Sequence, residues 1–229
     1  MNVIPQSVKD GFVRAVAPLA RLLIRGQVSP NTLTTVGLLV VLGAATAFAL
    51  GQVRLGGLLL LVSGLFDILD GQVARQGGRA TTFGAFYDST LDRVGEAALF
   101  AGIALFFLRG GVPPERQTLA VGLAIAALTA SLLVSYTRAR AEGLGLDCKV
   151  GLAARAERVL VLGLPALVFG AGPRGVLLFW IVALLGLATA ITVVQRVVHV
   201  AHIAARAAGR VPRQRDTLPG HAPALRKGH

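Results

Sequence analysis

Charge is scarce in this chain. Only 15% of its 229 residues are Asp, Glu, Lys or Arg, against ~25% in an average soluble domain. That is too little to clothe a soluble protein of this length. Cysteine is nearly absent: Cys148 stands alone, so no intramolecular disulfide is possible and nothing asks for an oxidising compartment. Acids are scarcer than bases, 11 against 23, which leaves a net charge of +12. In a soluble protein that excess would suggest nucleic acid. Aromatic residues make up only 6%, however, and the basic residues do not form a groove-like pattern, so nucleic acid is set aside. What is abundant is apolar: 54% of residues, with a mean hydropathy of +0.69. The soluble, disordered and disulfide-scaffold classes are excluded, and the chain reads as an all-α integral membrane protein. On such a protein a basic excess suits anionic lipid head groups and phosphorylated substrates.

A membrane span needs ~20 apolar residues at 1.5 Å each. Residues 27–53, 117–137 and 175–195 supply this outright, and 159–172 does so if its helix begins near Gly151. Two further runs, 55–66 and 97–108, are short. Each reaches full length only through an acid-bearing half, 67–75 in one and 84–96 in the other. The expectation is therefore six transmembrane helices, the second and third polar in one leaflet. With both termini inside, eighteen Lys and Arg face the cytoplasm and four (Arg54, Arg109, Arg116 and Arg174) face away, which orients the chain N-in and C-in.

Arg14, Pro18, Arg21 and Arg25 interrupt any signal-peptide core. Arg14, Arg21 and Arg25 share one side of a helical wheel, which fits an amphipathic helix lying in the cytoplasmic interface. Three regions are expected: this interfacial helix at 1–28, a six-helix catalytic domain at 29–203, and a basic, disordered cytoplasmic tail at 204–229. The tail is inferred from Pro212, Pro219, Gly220 and Pro223. No repeat emerges at a fixed period.

The informative stretch runs from Asp67 to Asp92. Asp67, Asp70, Gly71 and Ala74 lie at i, i+3, i+4 and i+7, so they share one helix face. Gly84, Asp88 and Asp92 share another, and Gly77 with Gly78 between them lets the chain reverse. The two acid faces are then expected to meet at the ends of adjacent antiparallel helices. Carboxylates in a span cost ~2.5–3.5 kcal/mol each on insertion scales, and clustering adds repulsion unless cations are present. Two divalent ions would balance four carboxylates, and all-oxygen ligands suit Mg²⁺ or Mn²⁺. Two-metal sites serve displacement at phosphorus. Gly71 and Gly84 leave room for a nucleotide, and Arg75 suits a phosphate. The blander reading pairs these acids with Arg75, Arg79 and Arg93 as a structural network; a cation pathway through a transporter is another.

The stretch resembles the signature of the CDP-alcohol phosphatidyltransferase family, Asp-x2-Asp-Gly-x2-Ala-Arg-x8-Gly-x3-Asp-x3-Asp, and matches it at every specified position. The resemblance implies a six-helical, dimeric, Mg²⁺- or Mn²⁺-dependent membrane enzyme whose site opens to the cytoplasm. Such an enzyme displaces CMP from a CDP-linked lipid with an alcohol. It makes Asp67, Asp70 and Asp88 metal ligands and Asp92 the general base, which also touches metal. Gly71, Ala74, Arg75, Thr81 and Gly84 would hold the nucleotide and its diphosphate. Asn31 and Thr34 match the family's Pro-Asn/Asp-x2-Thr element near the CDP moiety, although Asn31 also reads as a helix cap. A transporter has no need of the nucleotide cradle that Asp-Gly-x2-Ala-Arg implies.

Basic residues gather around the connection between the fourth and fifth spans. Positive-inside flanking alone accounts for such a cluster. Residues 135–142 and 149–158 nevertheless resemble the phosphatidylinositol-phosphate synthase branch of the family. That resemblance assigns Arg138, Arg140 and Arg155, then Lys149, Arg158 and Arg196, to the phosphate of inositol 1-phosphate. Ala154 and Ala156 stand where many relatives carry Glu and Pro. Glu96 is a further intramembrane acid, with Arg93 as its expected partner. His199-x2-His202 has metal-like spacing but sits on a basic helix face. The expected reaction joins CDP-diacylglycerol and inositol 1-phosphate, with another acceptor such as glycerol 3-phosphate as the alternative.

Overall fold

The computed structural model describes residues 6–148, 150–151 and 155–208. Among them there are seven α-helices and no strand. Helix α1, Gln6–Arg25, precedes α2, Pro30–Ala49; α3, Val53–Gln76; α4, Thr82–Phe106; α5, Pro114–Gly143; α6, Arg155–Phe169; and α7, Val176–Ala208. Local chemistry sets the boundaries. Pro30 opens α2 at a position where its missing N–H costs nothing. Gly78, at φ +63°, turns the chain between α3 and α4. The 107–111 segment is a π-type turn in which Gly110 takes φ +93° before Pro113 and Pro114 start α5.

Three helical stretches are long and apolar enough by themselves to cross a membrane: Pro30–Ala49, Pro114–Gly143 and Pro173–Arg206. Helices α3 and α4, at 24 and 25 residues, are each roughly 36 Å long at 1.5 Å per residue. They have the length, but their acidic halves lower the hydropathy. Helix α7 runs on to Ala208, past the expected boundary at 203. Residues 203–208 contain only Ile, Ala and Arg, all compatible with helix, and Gly209 comes next. Of the tail expected at 204–229, residues 209–229 lie outside the described residues.

The six helices after α1 close into a ring. Helix α2 packs on α3 and α4; α3 packs on α6; α4 on α5; α5 on α7; and α7 on α6. Small residues bring some of these pairs very close. A methyl group at Gly102 on α4 would stand 2.2 Å from the Ala45 carbonyl oxygen on α2, and one at Gly57 on α3 would stand 2.6 Å from the Leu167 nitrogen on α6. Phe48, Leu60, Ile103, Leu178 and Val182 fill the ring's interior and are fully buried. Helix α1 lies outside the ring on α3, where Ala20 joins Leu33, Leu69 and Val73 in a smaller apolar cluster. The side-chain amide of Gln72 donates to the Val13 carbonyl at 3.3 Å.

One correction concerns α3 and α4. Their acid faces were expected to meet on adjacent helices. Among the described residues α3 and α4 do not pack on each other; both lean on α2. Only the direct packing is corrected: α2 packs against both helices, and the acids of α3 and α4 still bear on one another, Asp88 acting on Asp70.

Candidate active site

Alternating helix direction brings the start of α2, the end of α3, the start of α4, the end of α5 and the start of α6 to one end of the ring. The acidic constellation sits there. Asp70 is the most enclosed of its carboxylates, 5% exposed, and its Oδ2 accepts a 2.8 Å hydrogen bond from the Thr34 hydroxyl. The same hydroxyl reaches the Pro30 carbonyl at 3.1 Å, so the first turn of α2 holds Asp70 in place. Asp67 and Asp88 both act electrostatically on Asp70. Asp92 lies one turn beyond Asp88, with an Oδ2 3.6 Å from the Arg93 guanidinium.

A second group of assigned residues converges beside the acids. Thr81, in extended conformation, caps α4, its hydroxyl accepting the Gly84 N–H at 2.9 Å. A methyl group at Gly84 would lie 3.1 Å from that hydroxyl and 3.3 Å from Oδ1 of Asn31. Asn31 at the start of α2 therefore stands beside Thr81 and Gly84 at the start of α4. Asn31 is not the cap of α2; Ser29 occupies that position. Gly71 has a different neighbour. The guanidinium of Arg75 folds back over it, with Nη1 3.1 Å from where a β-carbon would be. Ala74 is half-buried on the same face of α3. Arg79, weighed as a partner for the acids, donates instead to the Gln27 carbonyl at 3.0 Å and ties the α3–α4 turn to the α1–α2 connection.

Sequence reasoning missed two residues. Thr35 and Tyr87 share a hydrogen bond of 3.0 Å between α2 and α4, and Phe83 stacks on Tyr87 at 5.7 Å. Tyr87 precedes Asp88, so the contact braces the acid-bearing turn. The signal available was Thr35's place next to Thr34 on the same helix.

The donor set consists of hard carboxylate oxygens, the chemistry that suits Mg²⁺ or Mn²⁺. A buried Asp70 with two further acids acting on it fits a cation between α3 and α4. Among the described residues, no three His, Cys, Asp or Glu side chains converge on one point. The four acids are divided between two helices, Asp67 and Asp70 on α3 and Asp88 and Asp92 on α4.

The basic residues are more dispersed. Arg138 is exposed and pairs with Glu142 at 2.8 Å, and Arg140 is exposed on the same last turns of α5. Arg155 opens α6. Lys149 lies outside the described residues. Arg196 donates to the Val150 carbonyl at 2.9 Å and to the Val134 carbonyl, which stitches the α5–α6 connection to α7. Arg158, assigned to the acceptor phosphate, is instead buried, its Nη1 2.8 Å from Oε1 of Glu96.

Comparison with known proteins gives a consistent result. Over 200 residues the chain is 41% identical to the phosphatidylinositol phosphate synthase of Cutibacterium acnes, covering 84% of this chain and 95% of that one. The crystal structure of Mycobacterium tuberculosis phosphatidylinositol phosphate synthase with CDP-DAG bound superposes with a TM-score of 0.70 at 32% identity, over 82% of this chain and 94% of that chain. The same enzyme in complex with manganese and citrate also gives 0.70 at 32%, over 80% and 88%. Residues 27–192, which contain the four aspartates and every assigned basic residue except Arg196, match the CDP-alcohol phosphatidyltransferase family, and the chain belongs to that family.

Proposed function

We propose that this membrane enzyme transfers the phosphatidyl group of CDP-diacylglycerol to inositol 1-phosphate, releasing CMP and forming phosphatidylinositol phosphate. The observation that carries the reading is the buried Asp70 of α3, bonded to Thr34 of α2 and acted on by Asp88 of α4, at the end of the ring where Asn31, Thr81 and Gly84 also come together. The chain's likeness to an enzyme solved with CDP-DAG supports the donor, and the names of its relatives support the acceptor.

The four aspartates would hold two divalent ions, which supply positive charge for a diphosphate when bound. Asn31, Thr34, Gly71, Ala74, Arg75, Thr81 and Gly84 line the donor side. Asp92 takes the proton from the acceptor hydroxyl, whose oxygen then attacks the lipid-side phosphorus. A new phosphorus–oxygen bond forms as the bond to CMP breaks. Arg138, Arg140, Lys149 and Arg155, with Arg196 behind them, grip the acceptor phosphate. All six helices of the ring span the membrane, N-in and C-in, with α1 in the cytoplasmic interface, the site open to the cytoplasm, and the enzyme a homodimer.

The test is CMP release by the purified protein with CDP-diacylglycerol and Mg²⁺, with inositol 1-phosphate, glycerol 3-phosphate and free inositol supplied separately. Inositol 1-phosphate should react fastest. A preference for glycerol 3-phosphate would contradict the acceptor, and no CMP release with any alcohol would contradict the reaction.

A further inference from the structure

Helices α4 and α6 stand across the ring from each other and, among the described residues, do not pack together. A cavity of about 40 Å³ lies in the interior, lined by apolar side chains together with Ser63, Glu96 and Arg158. One ion pair crosses this interior. Nη1 of Arg158, on α6, lies 2.8 Å from Oε1 of Glu96, on α4, with side chains only 10% and 12% exposed. The Ser131 hydroxyl, on α5, donates to the same carboxylate, and Nε of Arg93 lies 3.5 Å from its other oxygen. Glu96 thus joins three helices at a level where α4 and α6 have no packing to set their spacing.

Each attached helix carries a functional residue close by. Asp92 is one turn before Glu96 on α4. Arg155 is three residues before Arg158 on α6, and Arg138 is seven residues beyond Ser131 on α5. Glu96 lies one turn further along α4 than Asp92, its side chain 12% exposed and bound to Arg158, Ser131 and Arg93. We propose that Glu96, through Arg158 and Ser131, is a positioning residue that sets the separation between the base on α4 and the acceptor-binding arginines on α5 and α6. This rests on the roles proposed above for Asp92 and Arg155. In the low-dielectric interior neither charge tolerates loss of its partner, so removing the Glu96 carboxylate releases α6 from its register with α4. The donor side has its own attachment to α2 through Thr34 and Tyr87.

The experiment compares the full-length wild type with Glu96→Gln and Glu96→Asp, titrating donor and acceptor separately. A misplacement near 1 Å costs roughly 100-fold, so Glu96→Gln should lose about that much acceptor kcat/KM. Its KM for CDP-diacylglycerol should stay within about twofold, and Glu96→Asp, which keeps the charge, should recover part of the loss. An unchanged acceptor kcat/KM overturns the proposal, as does an equal loss on both substrates, the signature of plain destabilisation. Should Glu96→Gln fail to fold, Ser131→Ala removes one hydrogen bond only. An acceptor-specific loss of several-fold then supports the proposal, and acceptor kinetics like the wild type's overturn it. The wild type is titrated with both inositol 1-phosphate and glycerol 3-phosphate. If the latter is preferred, the proposed acceptor fails while Glu96 is judged by the same criteria on that substrate.

Discussion

The α2–α4 side of the ring and the α5–α6 side carry opposite charge, and they are built by opposite means. On the first, acids stand on continuous helix faces, and hydrogen bonds to α2 brace them, directly from Thr34 to Asp70 and, beside Asp88, between Thr35 and Tyr87. On the second, bases stand at helix ends and in the connection between them, and their contacts are exposed or turned inward. Arg138 faces Glu142 in the open, whereas Arg158 is drawn into the interior by Glu96. A rigid side that binds a nucleotide diphosphate and an adaptable side that selects an alcohol would let one scaffold serve different acceptors.

The strongest way to break this comparison is to remove the cations from the acidic side. Chelation should abolish CMP release, and added Mg²⁺ or Mn²⁺ should restore it; turnover that survives chelator would leave the four carboxylates without their proposed purpose. Next in size is the base. Asp92→Asn should lower kcat by roughly 10²- to 10⁴-fold, the usual range for general-base catalysis, while CDP-diacylglycerol binding holds within a few-fold. Near-normal turnover would move the base elsewhere. Smaller, and confined to the acidic side, is Thr34→Val. A hydrogen bond to a charged group is worth ~1.5–3 kcal/mol, so the Mg²⁺ concentration for half-maximal rate should rise roughly 10- to 150-fold with acceptor KM unchanged. A shift in acceptor KM instead would show that the two sides are not independent.

The same contrast governs what could be read from the sequence. The acid faces were legible because helical periodicity places Asp67 with Asp70, and Asp88 with Asp92, whatever surrounds them. The chain reversal was legible from Gly77 and Gly78, and Gly78 does take positive φ. The resemblance brought Asn31 and Thr34 of α2 to the site, but the spacing of acids on α3 and α4 says nothing of which side chains α2 bonds there: Thr34 to Asp70 and Thr35 to Tyr87 use hydroxyls that also serve ordinary helix turns. Arg158 shows the limit on the basic side. Its position in a cluster suggested a phosphate, whereas its burial against Glu96 depends on a tertiary crossing of the ring. Arg138 and Arg158 look alike in sequence and differ only in which way their helices face.

The most direct measurement of the division between the two sides is a pair of titrations, donor and acceptor, on the wild type and Arg155→Ala. A charge-assisted hydrogen bond of ~1.5–3 kcal/mol predicts that the KM for inositol 1-phosphate rises roughly 10- to 150-fold while the KM for CDP-diacylglycerol barely moves. An equal rise in both, or no rise in either, would contradict the assignment of the basic side to the acceptor.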